Sequence, residues 1–569
     1  MKWIPLIEDL RRYNAEKLRG DLSAGLTVGV MLIPQGMAYA MIAGLPPIYG
    51  LYASLVPLVI YGLLGSSRQL AVGPVAMVSL LVAAGVSELA DPETPRYIEL
   101  AILLAFMVGG LQLIMGVGRL GFLVNFLSHP VLSGFTAAAA LIIGLSQLKH
   151  LLGIPIPRSH FIHEILLYAL ENISQTHLPS FLIGAGGILL LVGLRKWRPM
   201  LPGALIVVIL GTLVTWSLDL HEMGVKVVGN VPRGLPEPYV PSLNWQDLQA
   251  LLPSALAIAL VGFMESIAVA KAVAARHGYE VDANQELVAL GLANIGGGFF
   301  RSYPVTGGFS RTAVNDQAGA QTGLASLLSA GVIALTLLFL TPLFYYLPRA
   351  VLASIIMVAV FGLIDIKEAR FLWHVKRKDF YLMLIAFFAT LTLGIEQGIL
   401  VAIVVSLLLV IHRSAYPHIA VLGRLPGTTH YRNVERYPDA IQIPGVIVIR
   451  IDASLYFANI GFVKDFLRKL ELQREEPLRA VIIDASGIND IDSSALHGLK
   501  EIIEEYRQRG IHLYFARVKG PVKDILKRGG ILDLLGEDAC FMEVHEAVEH
   551  AVKTLGLTMS TTQVQELRE

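Results

Sequence analysis

The sequence predicts a polytopic α-helical membrane domain of about fourteen spans, followed by a small cytoplasmic α/β domain. Three observations carry this reading. The 569 residues are 54% hydrophobic and 16% charged, far too apolar for an ordinary soluble protein. Leu22–Ile42, Ile98–Val117, Val131–Leu148, Leu201–Leu218, Leu251–Ala270 and Leu382–Val410 are apolar runs, each near or above the roughly 20 residues of a spanning helix. After about Arg413 the composition changes to alternating strand-like and helix-like segments.

Residues 1–20 form a charged lead-in carrying Lys2, Arg11, Arg12, Lys17 and Arg19. Two more basic clusters, Arg195-Lys196-Trp197-Arg198 and Lys376-Arg377-Lys378, recur between spans. By the positive-inside rule these mark the cytoplasmic face of the cell inner membrane, and an even span count leaves both termini inside. The loop Asp91-Pro92-Glu93-Thr94-Pro95 and the segment from His221 to Trp245 then fall outside. Ala38-Tyr39-Ala40 resembles a signal cleavage site, but the long, partly acidic lead-in favours an uncleaved first span.

Residues 21–415 are expected to be the transport domain, with Gly394-Ile395-Glu396-Gln397-Gly398 turning the last long run into two spans. Two short apolar segments in its two halves begin at breaks: Gly73-Pro74 before Val75–Val86, and Gly307-Gly308 before Phe309. Interrupted segments at matching places mark transporter binding sites. Proline suits the first position of a helix, so N–H groups of Val75, Ala76 and Met77 are expected to face those of Phe309, Ser310 and Arg311. Two positive dipole ends and one guanidinium make a pocket for an anion. The plainer readings are an ordinary loop at Gly73-Pro74 and an interfacial, snorkelling Arg311.

Gln35 lies 38 residues before Gly73 and Glu265 lies 42 before Gly307, so the two read as counterparts. Charge on Glu265, flanked by apolar turns, is costly without compensation. Three roles are open to it: carrying a coupled proton, ionised pairing with Arg311 or a sodium ion, and structural hydrogen bonding. Lys271 and Arg276 fit the cytoplasmic end of the same span.

Residues 416–440 read as a linker and 441–556 as the soluble domain, with strands Val446–Ile451, Ala480–Asp484 and Ile511–Phe515 and helices over Phe462–Leu472 and Ser493–Arg509. Residues 557–569 are polar and expected to be disordered. Asp492 and Ser493 suit a helix start, where capping and phosphate binding use the same backbone N–H groups. Cys540 stands alone, so no intrachain disulfide or thiol metal cluster is expected. No phosphate-binding glycine loop, metal-ligand spacing, nucleophile–base set or basic nucleic-acid surface is present, which argues against an enzyme, a cofactor or a nucleic-acid partner.

Pro47-Ile48-Tyr49-Gly50-Leu51-Tyr52-Ala53-Ser54, with Val59-Ile60-Tyr61 and Gly65-Ser66-Ser67-Arg68, resembles the signature of the sulfate permease (SulP) family. Pro34 to Ala40 and Pro304 to Asn315 resemble it too, and Asp484-Ala485-Ser486-Gly487 with Ile491-Asp492-Ser493-Ser494 resembles a STAS domain. The resemblance implies two inverted seven-helix repeats, a mobile core and a gate, and an anion held between two half-helices. It implies substrate contacts from Ser310 and Arg311, to which the half-helix reading adds Gln35, Tyr39, Val75, Ala76, Gly308 and Phe309 as expected contacts, with ion coupling expected at Glu265. Secondary active transport of a small anion follows, sulfate first, with bicarbonate and C4-dicarboxylates handled by relatives. Passive channels among distant relatives lack a use for Glu265, and a nucleobase permease has none for Arg311. Sodium-coupled bicarbonate relatives place an aspartate at the Glu265 position and a hydroxyl one turn later. Here that later residue is Val269, which tilts the reading from sodium to protons. The resemblance also implies a homodimer and makes Ser494 a candidate regulatory phosphorylation site.

Overall fold

The structure, a computed structural model, describes residues 4–11, 13–122, 129–156, 162–197, 202–474 and 476–556. Lys2, Arg12 and Arg198 of the basic clusters, Leu201 and the tail from 557 lie outside the described residues, as does the side chain of Glu396. The chain divides into two compact units, Met1–Ser406 and Leu407–Glu569.

The first unit is helical. Its principal helices in chain order are α1 (Ala15–Ile42), α2 (Val56–Leu64), α3 (Ala76–Ser87), α4 (Pro95–Val117), α5 (His129–Ser146), α6 (Leu178–Trp197) and α7 (Gly203–Ser217). The second half supplies α8 (Trp245–His277), α9 (Ala283–Gly298), α10 (Phe309–Gln317), α11 (Leu324–Leu335), α12 (Arg349–Phe361), α13 (Arg377–Leu393) and α14 (Ile395–Ala415). Two short strands, β1 (Val72–Gly73) and β2 (Thr306–Gly307), precede α3 and α10. Seven of the described helical stretches are long and apolar enough to cross a membrane. Gly394, at φ 95°, makes the turn between α13 and α14.

Packing exposes an internal symmetry. Helix α1 packs on α11 and α8 on α4; α2 packs on α11 and α9 on α4; α5 packs on α13 and α12 on α6; α3 packs on α8 and α10 on α1. Adding or subtracting seven converts each pair into its partner. Seven is odd, so each helix and its counterpart run in opposite directions, and β1 pairs antiparallel with its counterpart β2. Helices α1–α4 and α8–α11 share one bundle, while α5–α7, α12 and α13 form another that meets it through α1. The expected inverted repeats, core and gate are therefore visible in the contacts themselves.

Helix starts differ in how their first N–H groups are met. Asn14, Thr94, Asn244 and Asp282 cap α1, α4, α8 and α9 by accepting first-turn N–H groups. No side chain caps α3 or α10.

The second unit holds β3 (Ile419–Arg424), β4 (Tyr431–Asn433), β5 (Val446–Ile451), α15 (Ile460–Leu472), β6 (Ala480–Asp484), α16 (Ser493–Gln508), β7 (His512–Ala516), α17 (Gly520–Arg528), β8 (Cys540–Phe541) and α18 (Val544–Thr554). Sheet order is β4-β3-β5-β6-β7-β8, parallel from β5 to β8 and antiparallel at β3. Apolar clusters fill both faces, one under α15–α17 and one under α18. The stretch 416–440, expected as a linker, instead contributes β3 and β4 to this sheet. Val421 and Leu422 there are apolar, but Ala420 and Gly423 break up a strand-like run in β3, and β4 has only three residues.

Candidate functional site

At the centre of the first bundle, β1 and β2 cross as a minimal antiparallel pair, with Val72 opposite Gly307 and Gly73 opposite Thr306. Gly73 sits at φ 153°, a backbone region that side chains disfavour, so the break needs glycine. The chain then restarts as helix at Ala76 on one side and Phe309 on the other, after extended N-cap residues Val75 and Gly308. At 1.5 Å per residue the 12-residue α3 and 9-residue α10 reach about 18 and 14 Å, roughly half a bilayer's hydrocarbon thickness. These are the two expected half-helices.

Polar side chains that sequence reasoning passed over hold the crossing. Asn294 of α9 acts like a neighbouring strand: its Oδ1 accepts from Val305 N (2.8 Å) and its Nδ2 donates to Val305 O (3.1 Å). Ser266 Oγ accepts from Gly307 N at 2.8 Å, and Thr306 Oγ1 donates to the Gly262 carbonyl at 2.5 Å, tying β2 to α8. Ala71 N donates to Thr312 Oγ1 (3.1 Å), and Asn315 Nδ2 to Gln69 O (2.8 Å), tying β1 to α10. The signal available was one kind of residue: single polar side chains inside otherwise apolar helices, as in the Leu292-Ala293-Asn294-Ile295 segment.

The first N–H groups of α3 and α10 have no intrahelical acceptor, by helix geometry, and no side chain replaces one. Between them lies Arg311, only 1% exposed. Its Nη1 donates to the Pro74 carbonyl, which fixes the guanidinium across the crossing. Its Nε and Nη2 have no partner among the described residues. A Cβ on Gly308 would come within 3.0 Å of the guanidinium carbon, so this glycine makes room for the arginine. Buried Val75 stands beside Gly308. The interfacial reading of Arg311 is thereby excluded.

Tyr39 and Glu265 lie near enough to interact electrostatically with Arg311. Gln35, one turn before Tyr39 on α1, is buried, and its Oε1 lacks a hydrogen bond, as does Glu265 Oε2. Buried groups of this kind cost about 1–3 kcal/mol each when unpaired, more when charged, so three at one crossing call for a ligand. Buried Ala76 begins α3. Phe309 (63% exposed) and Ser310 open outward from the start of α10. On α8, the face carrying Glu265 is buried towards Val261, Ile258 and Ser254, and exposed towards Ala268, Ala272 and Ala275. The crossing is therefore the floor of a crevice open towards the end of α8 that bears Lys271 and Arg276.

Ser494 lies in the other unit, exposed in the first turn of α16. Asp492 is the cap there, accepting from Ala495 N at 2.7 Å, while Ser493 is the first helical residue and caps nothing.

Inverted repeats with two broken helices meeting at one crossing are the arrangement of secondary-transporter folds. Comparison with known proteins agrees. Residues 18–386 match the sulfate permease family and residues 437–547 the STAS domain. The chain is 46% identical over 549 residues to the probable sulfate transporter 4.2 of Arabidopsis thaliana, covering 94% of this chain and 81% of that protein. It is 39% identical to a probable sulfate transporter of Mycobacterium tuberculosis, covering 96% and 98% of the two chains. The structure of murine solute carrier 26 family member A9, an anion transporter in the inward-facing state, superposes with a TM-score of 0.89 at 27% identity, over 97% of this chain and 94% of that one. The chain belongs to the sulfate permease family and is a membrane transport protein, not an enzyme.

Proposed function

We propose that this protein imports sulfate across the cell inner membrane by alternating access, coupled to protons. The single observation carrying the reading is Arg311: a fully buried guanidinium with two unpaired donors between two uncapped helix starts. A tetrahedral dianion offers oxygens to both helix ends and to the guanidinium at once. Gln35, Tyr39, Val75, Ala76, Gly308, Phe309, Ser310 and Arg311 are its proposed contacts. The names of the plant and mycobacterial relatives support sulfate over bicarbonate and C4-dicarboxylates.

Glu265 is the proposed proton carrier. Its Oε2 meets no hydrogen-bond donor among the described residues, which favours a neutral carboxyl over an ionised, paired one. Buried Val269, one turn on, offers a sodium ion no side-chain oxygen. Basic residues gather at the end of the bundle carrying Lys17, Arg19, Arg195, Lys196, Lys271, Arg276, Lys376 and Arg377, so we assign that end and both termini to the cytoplasm. The crevice then opens inward. Domain limits of 21–415 for transport and 416–556 for the regulatory unit fit the strands at Ile419 and Tyr431. The regulatory unit acts in a homodimer, and exposed Ser494 is its proposed phosphorylation site.

Uptake of radiolabelled sulfate into proteoliposomes, with bicarbonate, fumarate, nitrate and chloride as competitors, tests this. Expected is sulfate uptake accelerated by an inward proton gradient and indifferent to sodium. Sodium dependence, or competition by bicarbonate alone, would overturn it.

A further inference from the structure

The face of the bundle opposite the crevice carries charges of both signs, with Glu88, Asp91, Glu93, Glu99, Asp219, Glu222, Glu237 and Asp247 on its loops and helix ends, Arg96 paired with Glu99 and Asp247, and Arg301 with Glu237. One depression on it gathers basic side chains. It offers about 290 Å³ of space, counted out into solvent, and is lined by Lys149, His150, His177, Lys226 and Arg349. Its frame is fixed from three elements. His177, just before α6, accepts or shares a hydrogen bond with Ser180 Oγ at 2.9 Å, and its Nε2 donates to the Met223 carbonyl at 2.9 Å. Arg349 N donates to Lys226 O at 2.9 Å, which joins the α7–α8 loop to the start of α12. No side chain caps α12, and Ala350 in its first turn reaches the depression.

Arg349 also spans a seam. Its Nη1 lies 3.5 Å from Glu93 Oε1, on the loop between α3 and α4, so a gate-side arginine meets a core-side carboxylate. Glu93 is held in place by its own N–H to the Gly44 carbonyl (3.0 Å) and sits at φ 63°. With the crevice open at the opposite end, this contact belongs to the closed side. A core that shifts against the gate to open this side separates Glu93 from Arg349. The guanidinium then loses its carboxylate beside two lysines, at the mouth through which solute enters.

We propose that Lys149, Lys226 and Arg349 form an outer docking site for a small oxyanion, with Glu93 occupying Arg349 while the outer side is closed. Three cationic side chains at one point give the cluster its use: a positive patch concentrates a dianion locally and raises its capture rate, most strongly at low ionic strength. This deepens the transport reading and rests on its orientation. The site lies apart from Arg311, and the two are separable.

Hydrogen exchange on the full-length protein with sodium sulfate, against sodium chloride at matched ionic strength, tests it. Expected is sulfate protection of backbone amides around 223–228 in the wild type and in Arg311→Gln, and none in Lys226→Gln/Arg349→Gln. Sulfate kinetics in cells at low ionic strength supply the second measurement. Lys226→Gln should raise the KM for external sulfate three- to tenfold with maximal rate nearly unchanged, an effect shrinking in high salt, whereas Glu93→Gln should lower it. Unprotected amides in the wild type, protection that survives the double substitution, or an unchanged KM in Lys226→Gln would each overturn the proposal. Protection lost in Arg311→Gln alone would assign the effect to the central crossing. Normal protection without any sulfate uptake would instead remove the transport reading and leave this site standing.

Discussion

Two glutamates of the same bundle sit in opposite conditions. Glu286, in the first turn of α9, is fully buried, and its carboxylate accepts from Tyr61 OH (2.6 Å), Ser66 N (2.7 Å), Ser66 Oγ (2.8 Å) and Ser67 N (3.0 Å). Glu265, on α8, leaves Oε2 without any donor among the described residues. The first carboxylate staples the end of α2 to α9 and gives the Gly65-Ser66-Ser67-Arg68 motif a physical task. Arg68 extends the staple, paired with Asp9 at 2.6 Å and stacked over the Tyr279 ring. The glutamate that holds the fold has its carboxylate saturated; the one we assign to work on the solute is left incomplete. Arg311 and Gln35 fall with Glu265 on the incomplete side.

Substitutions can break or sharpen this contrast. The largest effect is expected from Arg311→Met. Losing a buried charged partner for the anion costs about 2–5 kcal/mol, so sulfate uptake should fall by roughly 30- to several-thousand-fold. The unfolding temperature should hold or rise, since a poorly paired buried charge is removed. A variant that unfolds instead would place Arg311 with Glu286. Next comes Glu286→Ala, with the opposite signature: at roughly 1–3 kcal/mol for each stranded donor, detergent-solubilised protein should lose thermal stability or fail to fold, and normal stability would undo the staple. Third is Glu265→Gln, which keeps the shape and removes the titration. Sulfate binding should persist while acceleration by an inward pH gradient disappears, and an unaltered pH response would refute proton coupling. The smallest effect lies in the second unit, at Asp452. The Arg450 guanidinium, bonded to it, holds its carboxyl below the usual range, with His418 helping. A lowered pKa adds stability at neutral pH that is lost as the medium turns acid. Because the pair is exposed, Asp452→Asn should cost under about 1 kcal/mol, read as a midpoint shift at pH 7 that vanishes on the acid side.

The crossing was legible in the sequence because its requirements are local: glycines where the backbone breaks and an arginine inside apolar surroundings, whereas Pro74 lies just ahead of the N-cap Val75 and not at the first helical position expected of it. Strands β5 and β6 were legible for a related reason, being continuous β-branched runs at the centre of a sheet. Contacts between residues far apart were not. Nothing near Glu286 announces that its partners are Ser66 and Ser67, some 220 residues earlier. Asn294 likewise reads as one polar residue in an apolar helix until β2 is laid against it. Strand β4 was missed because it is only three residues long, and β3 because Ala420 and Gly423 interrupt any β-branched run; a truncation at 441 would remove β5 and leave the β3–β4 pair without its neighbour.

The most direct test is equilibrium binding of radiolabelled sulfate to the purified full-length protein, wild type beside Arg311→Gln, with thermal unfolding recorded on the same samples. Expected is saturable binding whose central-site component Arg311→Gln removes, leaving only the component that Lys226→Gln/Arg349→Gln abolishes, while the protein remains folded at or above the wild-type midpoint. Equal sulfate affinity in both folded proteins would contradict the assignment of the unpaired guanidinium to the solute.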